Sequence, residues 1–203
     1  MKTMYQPLKD SIDVIVSFFG LIILVPLYLI IAIIIYSYDH GPIFYCGQRV
    51  GLYGKMFRIF KFRTMVVDAE KTGVCSTVAH DPRVTPIGWF LRRYKLDELP
   101  QLINIIRGEM SFVGRRPEVK KFTDMYSEKE KCILTMKPGL TDYASLWNYN
   151  EAELLAGSSD PDKDYCEKIR PTKIKYQLRY YHEMSFLTDV KIILCMLKQF
   201  IKQ

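Results

Sequence analysis

The sequence predicts a helix-rich, mixed α/β chain with one small β-hairpin, joined to an apolar N-terminal membrane segment. Three observations carry that prediction. Between Asp13 and Asp39 runs "VIVSFFGLIILVPLYLIIAIIIYSY", without a charge. "PIFYCGQRVGLYGKMFRIFKFRTM" brackets Gly51 and Gly54 with aromatic and β-branched residues. From 172 to 202, apolar residues recur at helical spacing among lysines.

The apolar run exceeds the about 20 residues that span a bilayer as a helix. It lacks the short apolar core and small-residue cleavage site of a signal peptide. A buried core helix rarely stays apolar on every face. Pro26 sits close to its middle, where it removes a helical hydrogen bond and bends or breaks the chain. Lys2 and Lys9 precede the run and Arg49, Lys55, Arg58, Lys61 and Arg63 follow it. Cations on both flanks give the positive-inside rule no direction. Composition therefore leaves two topologies open, a spanning helix and a segment that enters and leaves by one face. Residues 1–40 form the membrane-inserted part and 41–203 a membrane-surface domain.

Within that domain the Gly51–Gly54 stretch reads as a hairpin, with Lys55, Phe57, Ile59, Lys61 and Arg63 alternating onto one side. Residues 66–86 read as a loop broken by Gly73, Pro82 and Pro86. "IGWFLRRY" predicts a short helix. "ELPQLINIIRG" predicts a second, ending at Gly108 with Leu99, Leu102, Ile103 and Ile106 on one face. "MSFVGRRPEV" reads as a loop, 118–136 as a helix with a polar face, "KPGLTDYASLWNYNE" as irregular and "EAELL" as a short helix. "GSSDPDKDY" alternates acids like a calcium loop. However, Tyr165 stands where the sharp turn needs glycine, so a solvated loop is the better reading. The C-terminal stretch, with Phe186, Leu187, Val190, Ile193, Leu194 and Leu197, reads as one basic amphipathic helix suited to an anionic interface.

The formal charge of +7 points to anionic partners. Five cysteines, none spaced C-x-x-C, fit a reducing compartment and argue against a zinc site or disulfide framework.

"KLDELPQ" sets Asp97 and Glu98 side by side just before Pro100, with Arg92, Arg93 and Lys95 behind them. Proline is tolerated in a first helical turn, so the helix is expected to begin near Asp97, with Asp97 as N-cap. The dipole and the cations would favour an ionised carboxylate, which can serve as a nucleophile or a metal ligand. Adjacent acids at a helix start diverge by about 100°. A division of labour follows, one acid attacking while the other holds a hard cation such as Mg²⁺ during phosphoryl transfer. The bland alternative is a plain helix cap.

Taken together, the apolar segment with a central proline, "GQRVG", "FKFRTM", "LDELPQLINIIRGEMSFVGRRPE" and "PGLTDY" resemble the bacterial sugar transferases. These are the monotopic phosphoglycosyl transferases, and the chain resembles their minimal catalytic form. The resemblance implies transfer of a sugar-1-phosphate from a UDP-sugar to polyprenyl (undecaprenyl) phosphate. UMP is released, and the product starts surface glycan assembly. It implies Asp97 as nucleophile in a ping-pong cycle through a covalent aspartyl phospho-sugar, and Glu98 as the Mg²⁺ ligand. It implies Lys61, Arg92, Arg115 and Arg116 around the phosphates. Pro26 would be the break of a re-entrant helix-break-helix, with Lys9 and Asp13 near the headgroups. The implied place is the bacterial inner membrane, with the catalytic domain on its cytoplasmic face and interfacial helices beneath it. No nucleic acid is implied, and homodimer formation is left open. Two other classes compete: a membrane-bound Mg²⁺-dependent phosphohydrolase and a non-enzymatic membrane-anchored binder of anionic partners. Three departures stand out: Val25-Pro26 in place of Ser-Pro, Arg115-Arg116-Pro117 in place of Pro-Arg-Pro, and an unusual "PGLTDYASLWNYNE". The carried sugar, the polyprenol and the downstream glycan are not encoded in any of these motifs.

Overall fold

The computed structural model describes residues 2–74, 76–148 and 151–201; Cys75 falls outside them. Helix α1, Lys2–Asp39, runs as one helix through Pro7 and Pro26, without the interruption expected at Pro26. Its 38 residues correspond to roughly 57 Å at about 1.5 Å per residue. Leu21 and Leu24 pack on Phe57, Ile59, Leu102 and Ile105. Ile31 and Ile35 pack on Phe62 and Leu91. The opposite face, including Phe19, Ile23, Leu29 and Ile33, is exposed.

The predicted hairpin forms as two nested antiparallel pairs. Strand β1 (Phe44–Tyr45) pairs with β4 (Lys61–Phe62), and β2 (Gln48–Val50) with β3 (Met56–Arg58). The expected single alternation holds through buried Phe57 and Ile59, then slips by one. Phe62 takes the next core position, and Lys61, half-buried, is free to reach Glu98. The slip occurs where the ladder is interrupted and Asn104 stands in for it. Asn104 Oδ1 accepts from the Phe60 amide at 2.9 Å, and its Nδ2 donates to the Arg58 carbonyl at 2.7 Å.

Helix α2, Pro86–Arg93, forms as predicted. Thr85 caps it by accepting the Gly88 amide at 3.0 Å, with Pro86 in the first turn. Lys95, in the left-handed region (φ 53), then turns the chain into a 3₁₀ segment, Leu96–Gln101. Helix α3, Leu102–Ile106, follows and ends before Gly108 (φ 72). The predicted second helix is thus half 3₁₀, because Pro100 supplies no N–H. Of the predicted face Leu102 is buried, but it is joined by Asn104 and Ile105 rather than by Ile103 and Ile106; α1 covers one side of it and the hairpin another.

Several expectations are corrected downstream. "SFV" is strand β5, Ser111–Val113, parallel to β6, Gly139–Thr141, so neither "MSFVGRRPEV" nor "KPGLTDYASLW" is wholly irregular. The approach is close: a Cβ on Gly114 would lie 2.4 Å from the Lys137 carbonyl oxygen. The 118–136 segment contains only a short α4, Lys120–Thr123, and a 3₁₀ turn, Glu130–Thr135. Asp142 caps α5, Tyr143–Trp147, and α6 covers Glu151–Leu154 as predicted. The acidic "DPDKD" is a helix start, α7 (Pro161–Asp164), with Asp160 accepting the Lys163 amide. The chain continues through a π-turn, Tyr165–Ile169, into α8, Arg170–Glu183. A separate α9, Phe186–Ile201, splits what the sequence suggested was one C-terminal helix. Among the described residues the sheets are two-stranded, and helices dominate.

Candidate active site

Asp97 and Glu98 lie in the first turn of the 3₁₀ segment, each more than nine-tenths buried in side chain. Asp97 is not the N-cap; Lys95 precedes the turn and caps it with no side-chain bond. A six-residue 3₁₀ segment has little macrodipole, so side-chain cations set the field here. Lys61 Nζ reaches Glu98 Oε1 at 2.7 Å and Asp97 Oδ2 at a looser 3.9 Å. Arg116 grips Glu98 with both terminal nitrogens, at 3.0 Å to Oε2 and 2.5 Å to Oε1.

The two acids consequently diverge. Burial alone would raise the Glu98 carboxyl, but Arg116 and Lys61 outweigh it and hold it well below the ordinary carboxylate range. Asp97 moves the other way. Burial raises it, Lys61 pulls it down less, and neighbouring Glu98 adds to the rise. The local cations do favour ionisation of Asp97, as expected, but burial outweighs them there, whereas at Glu98 the added hold of Arg116 tips the balance the other way. An acid with one fixed ionised neighbour and a weaker cation contact is the more basic of the pair, hence the better nucleophile.

Both acids line a cleft of about 2120 Å³ together with Lys61, Arg92, Lys95 and Arg116. Arg92 is aimed by Thr64, whose Oγ1 accepts its Nε at 2.8 Å. Gly88 makes that possible, because a Cβ there would sit 2.0 Å from the Thr64 carbonyl oxygen. The first arginine of the "RRP" pair, Arg115, is not brought to the cleft. It is fully buried, and its Nη2 donates to the carbonyls of Val50 and Gly51 at 2.8 and 2.9 Å. It ties down the hairpin turn instead of offering charge to a phosphate.

Lys9 and Asp13 are likewise placed inside the protein. Lys9 pairs with buried Asp189, which also accepts from the hydroxyls of Tyr5 and Tyr180 at 2.6 Å each. Asp13 accepts from the Ser111 hydroxyl at 2.5 Å. Pro26 lies on the exposed face of α1. Two residues later, the Tyr28 hydroxyl donates to the Leu99 carbonyl at 2.8 Å, fixing α1 against the turn that carries the two acids.

Sequence reading missed Asn104, Thr64, Tyr28 and Asp189. Asn104 had a signal: it is the one polar side chain in "LINII", and a polar residue inside an apolar run is normally there to satisfy backbone groups.

Carboxylates suited to a hard cation are present. Mg²⁺ takes one or two of them and fills its shell with water and phosphate oxygens. Glu98 Oε2 accepts from Arg116, and the Asp97 carboxylate stands beside it, so the pair fits such an ion. Among the described residues no cluster of three or more His, Cys, Asp or Glu side chains forms a self-sufficient metal cage.

Comparison with known proteins agrees with this geometry. Residues 4–203 match the family model for bacterial sugar transferases. The chain is 34% identical over 200 residues to the exopolysaccharide production protein ExoY of Sinorhizobium fredii, covering 91% of this chain and 81% of that one. It is 32% identical over 189 residues to the UDP-glucose:undecaprenyl-phosphate glucose-1-phosphate transferase of Escherichia coli, covering 92% of this chain and 38% of that one. It is also 32% identical over 201 residues to the undecaprenyl-phosphate galactose phosphotransferase of Salmonella typhimurium, covering 92% and 39%. With a family model matched from end to end and an acid pair held at the mouth of a basic cleft, the chain belongs to the bacterial sugar transferase family.

Proposed function

We propose that this protein transfers a sugar-1-phosphate from a UDP-sugar to polyprenyl phosphate at the cytoplasmic face of the bacterial inner membrane. The observation that carries the reading is the split between two adjacent buried acids, with Glu98 clamped by Arg116 and Lys61 and Asp97 held loosely. An Asp97 carboxylate oxygen attacks the sugar-bearing phosphorus, and the bond from that phosphorus to the bridging oxygen breaks, releasing UMP. A phosphate oxygen of the polyprenyl acceptor then attacks the same phosphorus and displaces Asp97. Lys61 and Arg92 meet the charge on the diphosphate, while Arg116 keeps Glu98 ionised and oriented. Mg²⁺, bound through Glu98 and the donor's phosphates, would neutralise charge that develops during transfer.

The membrane seat follows from where α1 is tied. Its Tyr5–Asp39 stretch is long and apolar enough to cross a bilayer. Yet Lys9 near its start pairs with Asp189, Tyr28 in its middle with Leu99, and Asp39 at its end with Arg63, the last at 2.5 Å through Nη1. A helix crossing a hydrocarbon core of about 30 Å would leave one end far from a domain on the other side. Contacts from end to end favour a monotopic seat, with the re-entrant bend at Pro26 as its membrane form. The exposed apolar side chains of α9, Phe186, Leu187, Leu194 and Leu197, would lie at the same interface.

Asp97→Asn tests the reading. It should abolish UMP release from a UDP-sugar with polyprenyl phosphate and leave thermal unfolding unchanged. Under turnover the native protein should carry a phospho-sugar mass on Asp97. Full activity of the variant would end the nucleophile assignment.

A further inference from the structure

The chain enters the acid turn through Lys95, and Lys95 stands where its own backbone is unfavourable. Helix α2 ends at Arg93 with Tyr94 as its C-cap, so Lys95 is the first residue past the cap. Its φ of 53 and ψ of 20 are left-handed. Helices commonly place glycine at that position, because a Cβ in the left-handed region crowds the backbone. Asparagine and aspartate also visit it, helped by local bonds from a short polar side chain that lysine lacks. The turn itself is made by the main chain. The Lys95 amide donates to the Arg92 carbonyl at 3.1 Å, and the Lys95 carbonyl accepts the Glu98 amide at 3.2 Å. Glycine would make both bonds with less strain, so the reason for lysine lies in its side chain.

That side chain stands among the reacting groups. Lys95 is half-buried and lines the cleft with Asp97, Glu98, Lys61 and Arg116. Burial pushes its ammonium down, Glu98 and Asp97 pull it up, and Arg116 and Lys61 oppose them. Lys61 and Arg116 already hold Glu98. A third cation beside these two adds like-charge repulsion to the backbone strain. Strain of this kind collects at sites whose geometry is set in advance for a ligand. An anion entering between the cations relieves the repulsion, and Asp97 fixes where its phosphorus must come.

We infer that Lys95 is a further substrate-binding residue, whose ammonium bonds a non-bridging oxygen of the phosphoryl group that Asp97 attacks. The inference rests on the transferase reading above. Charge spreads over the non-bridging oxygens as the bond to the bridging oxygen breaks, and a cation held on that group meets it there. The same phosphorus is attacked again by the acceptor, so Lys95 serves both steps. The phosphate that leaves with UMP is not its partner.

The test uses the full chain with Mg²⁺ and compares Lys95→Gly, which suits the left-handed turn, with Lys95→Arg, which keeps the cation. Lys95→Gly should melt no lower than the native protein. It should lose about tenfold or more of kcat/KM for UMP release from a UDP-sugar with polyprenyl phosphate, and Lys95→Arg should recover most of it. Equilibrium binding of UDP and of UMP, which differ by the phosphate in question, supplies the readout that a structural role would not move. Lys95→Gly should weaken UDP by about tenfold and leave UMP unchanged. Full turnover of Lys95→Gly, equal weakening of UDP and UMP, or a lowered melting temperature would each overturn the inference. If the native protein released no UMP from any UDP-sugar, the transferase reading would fail instead. The UDP-to-UMP comparison would still decide whether Lys95 holds that phosphate.

Discussion

Glu118 follows Pro117 in the basic loop and shows how single residues set the conditions under which this fold survives. Its carboxylate accepts from Tyr165 at 2.6 Å, from Tyr126 at 3.1 Å and from Lys173 at 3.0 Å, all inside the protein. Burial would raise its carboxyl, but Lys173 and the hydroxyl bonds outweigh burial and leave it below the ordinary value. A depressed carboxyl stabilises the fold above its unfolded value of about 4.3, and that stability is lost as pH falls through the folded value. Glu118→Gln should therefore cost about 3 kcal/mol near neutrality, because it takes the carboxylate away from the buried Lys173 ammonium. The gap should narrow as pH falls below the unfolded value of about 4.3 and through the lowered folded value, where the native carboxyl protonates too. Thermal unfolding of both proteins against pH measures this; a gap independent of pH would show that the ion pair is not what is lost. None of these partners was visible from the loop itself, since Tyr126, Tyr165 and Lys173 come from three other segments.

Between elements, the decisive link is Asn104. It sits on α3 and replaces the missing ladder between β3 and β4, which lets Lys61 leave the strand face and reach Glu98. Asn104→Ala should cost about 2 kcal/mol, as two backbone groups lose their partner. It should also lower UMP release at least tenfold, because Lys61 loses its aim. Unfolding and turnover measured on one preparation check both, and an unstable variant with full turnover would sever Asn104 from the site. Element existence was legible where the signal is local. "IGWFLRRY" announced α2, and Gly108 marked the end of α3. The split between α8 and α9 also had a signal, Ser185 before an apolar run, with its hydroxyl accepting the Thr188 amide at 3.3 Å. Strands β5 and β6 had none. Three residues give no readable alternation, and their pairing joins segments over twenty residues apart.

For the whole molecule, the question is how α1 meets the membrane. Its domain-facing stripe runs from Lys9 to Ile35, and the other side is apolar and bare. With the native cysteines replaced, single cysteines at Thr3 and at Lys55 should both be labelled by an impermeant reagent from the cytoplasmic side only. Labelling from opposite sides would establish a spanning helix.

By itself the sequence determined the apolar anchor, the adjacent acids before a proline, the basic residues near them and the short helix ahead. Each of these is local, written in neighbouring residues through periodicity, capping and charge. Only the tertiary structure decided which cation serves which acid. It turned Arg115 inward to the hairpin and Arg116 outward to Glu98, although the two are adjacent in the same motif. It also buried Lys9 and Asp13 against the domain and turned Asp142 inward as the cap of α5. Those outcomes depend on which distant segments pack together, and burial and pairing energies are set by neighbours in space.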